Sequence, residues 1–95
     1  MLTNEQLDQL ENLAKLFYTV SECAVILEVD KKNLGILIQD DDTKESKRYH
    51  KGLLESEKEV REKVIEMALR GSTKAQAQAI EFIKQAKLEN NEDIG

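Results

Sequence analysis

With 95 residues, no Pro, no Trp, two Phe and two Tyr, the chain predicts an all-α fold built from Leu, Ile, Val and Ala, with a core so small that some apolar surface is expected between subunits. A net charge of −5 excludes indiscriminate coating of nucleic acid, which needs a general excess of Lys and Arg. The single cysteine, Cys23, excludes an intrachain disulfide, and no stretch has the length of a membrane span or the pattern of a signal peptide, so a cytoplasmic location is expected.

The first element, "TNEQLDQLENLAKLF", places Leu7, Leu10, Ala14 and Phe17 at helical spacing, with Leu13 widening the stripe. Thr3 is its expected N-cap, and Gln6 completes a capping box. A shorter helix is expected at "SECAVIL", with Ser21 as N-cap and Ala24 and Leu27 on one face. After a tight "EVD" turn, Asp30 caps a third helix, "KKNLGILIQ". Its Leu34, Leu37 and Ile38 point inward, and Lys32, Gly35, Ile36 and Gln39 point outward.

"DDDTK" breaks the periodicity, and Asp42 or Thr43 is expected to cap a long run, "KESKRYHKGLLESEKEVREKVIEMALR". Gly52 weakens that helix by roughly 1 kcal/mol relative to Ala, so a kink or a late start at Leu53 is expected there. Leu53, Val60, Val64 and Met67 then recur on one side. "RGS" reads as a stop and restart, with Gly71 at C′ and Ser72 as the next N-cap. The last helix carries Ala75, Ala79, Phe82 and Ile83, and so short a turn predicts an antiparallel hairpin. The chain accordingly divides into a three-helix unit over 1–42, a helical hairpin and oligomerisation region over 43–89, and a frayed tail over 90–95.

Charge is unevenly distributed. Residues 1–42 hold three basic side chains against nine acidic, whereas 43–95 hold eleven against ten. "TKESKRYHK" is the one clearly basic patch, with Lys44, Lys47, Arg48 and Lys51 against Glu45.

"VSECAVILEVDKKNLGIL" has the order of a helix-turn-helix: Ala24 at the crossing, Val29 in the turn, Leu34 and Leu37 holding the second helix. Glu28 departs from it, because that turn position is often Gly, which accepts positive φ. In such a motif Lys31, Lys32 and Asn33 meet DNA first. Gln39 suits adenine or plain solvation, Gly35 allows close backbone approach, and Ile36 suits a thymine methyl or, equally, a core or subunit contact. Enzyme chemistry finds little support: His50 is the only histidine and has no second ligand near it, Asp40 to Asp42 lack a ligand-loop glycine, and no phosphate-binding glycine loop is present. No enzyme activity, cofactor or metal is expected.

The first half followed by "EMALRGSTKAQAQAIEFIKQAK" resembles the small terminase subunits of tailed bacteriophages and prophages, in which an Ala-x-x-Gly helix end, a polar turn and an Ala-rich helix with an aromatic residue follow the DNA-binding unit. Here these are Ala68, Gly71 and the stretch from Ala75 to Phe82. The resemblance implies a non-enzymatic subunit in a bacterial host that binds double-stranded DNA at a packaging site, assembles with copies of itself, and hands the DNA to a large terminase subunit carrying ATPase and nuclease activities. It further implies DNA contacts at Lys31, Lys32, Asn33 and Gln39, flanking phosphate contacts at Lys44, Lys47 and Arg48, and an assembly surface including Leu53, Val60, Val64, Met67, Phe82 and Ile83. A dimeric phage or mobile-element transcriptional regulator, or a helical interaction module that binds no DNA, are the alternatives.

Overall fold

Five helices make up the regular structure: α1 (Asn4–Lys15), α2 (Val20–Leu27), α3 (Lys31–Gln39), α4 (Lys44–Leu69) and α5 (Thr73–Ile94). The computed structural model describes residues 1–94, with side chains through residue 90, and no strand occurs among them. Beyond its first residue, the tail expected over 90–95 lies outside the described side chains. The chain forms two compact units, Met1–Glu57 and Lys58–Gly95. Their boundary falls within α4, whereas the sequence pattern places a division at 42/43.

Local capping chemistry sets most helix starts. Thr3 Oγ1 accepts the Gln6 N–H at 3.1 Å, and Gln6 Oε1 accepts the Thr3 N–H at 2.9 Å. Asp30 accepts the Asn33 N–H at 2.9 Å, and Thr43 accepts the Ser46 N–H at 3.0 Å. Each such cap contributes about 1 kcal/mol. The second helix differs from expectation. Its cap is Thr19, not Ser21, because Thr19 and Glu22 form a reciprocal box with bonds of 2.9 and 3.2 Å. Only the pair three residues apart satisfies two backbone donors at once.

The core of the first unit joins Leu10 and Ala14 from α1, Cys23, Ala24 and Leu27 from α2, Leu34 and Ile38 from α3, and Tyr49 from α4. Leu2, Leu13, Val20, Val29 and Leu53 pack around it. Phe17, placed by its spacing on the stripe of α1, is instead past the helix end and half exposed. The chain closes there, with the Phe17 N–H donating to the Ala14 carbonyl at 2.9 Å and the Tyr18 N–H to the Leu13 carbonyl at 3.2 Å. This closure holds Phe17 at φ 65°, a left-handed conformation that costs an L-residue about 1–2 kcal/mol.

Gly52 does not delay the start of α4, which begins at Lys44 and continues as helix through it to Leu69. Its place is at a crossing: a Cβ there would run into the Glu11 carbonyl oxygen and lie 2.8 Å from the Ala14 Cβ. Bonds on either side tie the same two segments together. The Ser56 hydroxyl donates to the Lys15 carbonyl at 2.6 Å, and the Tyr49 hydroxyl to the Tyr18 carbonyl at 2.7 Å.

In the second unit, α4 ends as the sequence predicts. The Gly71 N–H reaches the Ala68 carbonyl and the Ser72 N–H reaches the Met67 carbonyl, each at 3.1 Å, with Gly71 at φ 102°. Ser72 then caps α5 by accepting the Ala75 N–H at 3.2 Å. Gln76 bonds the Ala68 carbonyl, and the Arg61 guanidinium lies 4.2 Å from the centre of the Phe82 ring. These contacts pair early α5 with late α4 and later α5 with earlier α4, so the two helices run antiparallel.

Two substitutions test this backbone logic together. Gly52→Ala overpacks the α1 crossing and is expected to cost about 2–3 kcal/mol in urea unfolding. Glu28→Gly relieves a left-handed residue (φ 58°, ψ 42°) and is expected to gain about 0.5–1 kcal/mol, a rise of several degrees in Tm.

Candidate nucleic-acid interface

Asp30 starts α3 so that Lys31, Lys32 and Asn33 occupy its first turn, and all three are exposed. Leu34 and Ile38 are buried on the opposite side. That division follows from helical periodicity: burying 34 and 38 turns 32, 35, 36 and 39 outward. Gln39 is exposed, and Ile36 keeps 58 % of its surface in solvent.

The turn before α3 depends on Glu28. Its left-handed conformation ends α2, and the Val29 N–H returns to the Ala24 carbonyl at 3.0 Å. Ala24 itself is fully buried and Val29 packs on the core. Lacking glycine, the turn places an exposed carboxylate next to the start of α3.

Between α2 and α3 lies an open groove of about 690 Å³. Val20 and Ser21 line it from the first turn of α2, Asp30 from the cap of α3, and Lys31, Lys32, Gly35, Ile36, Ile38 and Gln39 from α3 itself. The N–H groups of Val20 and Ser21 belong to the helix start, where no intrahelical acceptor exists. Lys31 and Lys32 enter no ion pair among the described residues. The groove thus combines two lysines and the Asp30 carboxylate with the backbone of the α2 start and the apolar Ile36 and Ile38.

The flanking cations divide into two groups. Lys44 and Lys47 are exposed. Arg48, expected beside them as a phosphate contact, is turned onto α1: its guanidinium bonds Asp8, and its Nε donates to Glu11 Oε1 at 2.8 Å. Those two carboxylates raise the Arg48 pKa further, Asp8 more than Glu11. Lys51 also stands 3.9 Å from Glu11 and 3.8 Å from Glu55. Much of the basic patch is therefore neutralised within the fold. The hydrogen bond from Lys15 holds the Glu55 carboxyl below its ordinary value, so this pair supports the fold at neutral pH and is lost as the pH falls through the folded value.

Sequence reasoning missed Glu45, which is 2 % exposed. Its Oε2 accepts the Leu2 N–H at 3.0 Å, binding the start of the chain to the first turn of α4, where the helix dipole favours an anion. No local pattern distinguishes it from the solvated glutamates around it. Asp40 and Asp42 form a turn, with the Asp42 N–H donating to Asp40 Oδ1 at 3.0 Å, and Thr43 rather than Asp42 caps α4. Cys23 is fully buried, and burial, more than nearby Glu22, pushes its thiol pKa up.

The expected assembly residues also separate. Leu53 packs against the core of the first unit and is not an open surface. Val60, Met67 and Ile83 are each about half exposed, at 51 %, 53 % and 54 %, while Val64 and Phe82 are partly buried. In the second unit only Ala75 is buried among the described residues.

Removing the Arg48 side chain tests this division. Arg48→Ala is expected to lower Tm because Glu11, 13 % exposed at its side chain, loses its closest cation, whereas Lys44→Ala and Lys47→Ala leave Tm unchanged in the same thermal scans. No protein-family model, curated protein or solved structure matches this chain.

Proposed function

We propose that this chain is a DNA-binding subunit of the small-terminase type: a helix-turn-helix reader that binds viral DNA for packaging, assembles with copies of itself, and recruits a separate large subunit for ATP hydrolysis and cleavage. The observation that carries this reading is the α2–α3 groove. A left-handed turn residue links α2 to α3, and the exposed face of α3 presents Lys31, Lys32 and Asn33, which suits insertion of that helix into a major groove. The first turn of α2 lines the same groove and offers N–H donors suited to a phosphate.

Charge limits the strength of each contact. Two lysines face the groove, and the surrounding first unit is acidic, so a single copy binds weakly and repetition supplies affinity. The second unit supports that repetition. Its two helices leave Val60, Ile65, Met67, Leu69, Ile80 and Ile83 about half exposed or more, an apolar surface of the kind that marks a site of association.

Fluorescence anisotropy with labelled duplex DNA at low salt tests the reading, with light scattering on the same samples. Lys31→Glu/Lys32→Glu is expected to weaken binding at least tenfold without changing subunit number, and the wild-type chain to form an assembly of eight or more subunits. A stable dimer would point instead to a helix-turn-helix regulator. Unchanged weak binding in the double variant would leave a helical interaction module.

A further inference from the structure

Gly35 occupies the middle of α3, where glycine costs about 1 kcal/mol relative to alanine, and nothing inside the chain explains it. A Cβ built there meets no atom within 4 Å, in contrast to Gly52. The empty space opens into the α2–α3 groove, whose lining includes Gly35 itself. Next to it stands Ile36, 58 % exposed although it is an aliphatic side chain. One turn further along the same face is Gln39, also exposed. The cations, Lys31 and Lys32, are at the other end of the groove.

We infer that this face reads an A·T step in the major groove, with the thymine C5-methyl seated in the gap at Gly35 against Ile36 and Gln39 paired to the adenine of a neighbouring base pair. The inference rests on the DNA-binding reading above and adds the chemistry of the target. A thymine methyl is the one apolar group on the major-groove edges of the four base pairs, and the N6 and N7 of adenine match the donor and acceptor of a glutamine amide. Reach agrees: Gly35 and Gln39 lie four residues apart, about 6 Å of helix rise, a separation between one and two base-pair steps of about 3.4 Å. The two lysines at the N-terminal end of α3, set against the one carboxylate of Asp30 in the lining, supply the net positive charge that a phosphate-lined groove attracts, which favours DNA over a second protein surface as the occupant.

Gly35→Ala separates a reading role from a structural one, because the two change in opposite directions. The variant is expected to raise Tm by several degrees and yet weaken binding to the selected duplex several-fold. The duplex is obtained by enriching a random-sequence duplex pool on the full-length protein, which is expected to return an A·T step at the centre of the site. Replacing that thymine by deoxyuridine removes only the methyl and is expected to weaken binding about fourfold in the wild-type chain; in Ile36→Ala the same replacement has little effect. Gln39→Ala is expected to lose at least fivefold of the preference for A·T over G·C at the neighbouring pair.

A G·C-centred site, or equal binding of thymine and deoxyuridine duplexes, overturns the inference and leaves the DNA-binding reading standing. No enrichment and no binding of any duplex at low salt overturns both. A Gly35→Ala chain with normal DNA binding but altered subunit number assigns the groove to contacts between copies and also overturns it.

Discussion

The crossing of α4 over α1 at Gly52 is the constraint on which the first unit depends. Without a side chain at that position, the helix backbone comes close enough to the Glu11 carbonyl and Ala14 for Tyr49 to reach Tyr18 and Ser56 to reach Lys15. The same approach buries Glu45, Ser46 and Tyr49, and it brings Arg48 and Lys51 to the acidic side of α1. A short, three-helix sequence with few aromatic residues becomes a four-element core because half of a long helix is shared with it.

This arrangement decides which charges remain outward. Arg48 is committed to Asp8 and Glu11 and cannot serve a ligand without giving up a contact that joins α1 to α4. Lys31 and Lys32 carry no such commitment, since α3 packs through Leu34 and Ile38 and leaves its first turn open. One of the two left-handed non-glycine residues, Glu28, stands in the turn just before α3, where glycine is the easy choice; the other is Phe17. In the reading proposed above, a weak, partly acidic surface of this kind would gain affinity from being repeated, with the exposed apolar residues of the second unit as the surface for assembly.

Features set by neighbours in sequence were legible before the fold. Thr3 with Gln6, Asp30, and Gly71 with Ser72 are caps whose partners lie within five residues, and each occurs where the sequence places it. Two adjacent candidates obscured the start of α2, where Thr19 prevails over Ser21 because Glu22 answers only the former. The all-helical class was equally plain from periodicity and the lack of Pro. Gly52, Arg48 and Glu45 were not legible, because their roles depend on residues 37 to 43 positions away, and neither was Leu53, whose place against the first unit's core is set by the fold. A glycine at a helix crossing and a glycine at a kink look alike in one dimension, as do an arginine for phosphate and an arginine for Asp8 and Glu11. Phe17 shows the converse: its spacing fits the stripe of α1, but the helix closes before reaching it.

The central claim is that the outward face of α3 is where the molecule meets DNA. Backbone amide shifts of the isotopically labelled chain, followed by NMR as a short duplex is added at low salt, test it residue by residue. The largest changes are expected at Val20, Ser21 and along α3 from Lys31 to Gln39, with Arg48 and the α1–α4 crossing undisturbed. Changes confined to α4 and α5, or none at all, would contradict it.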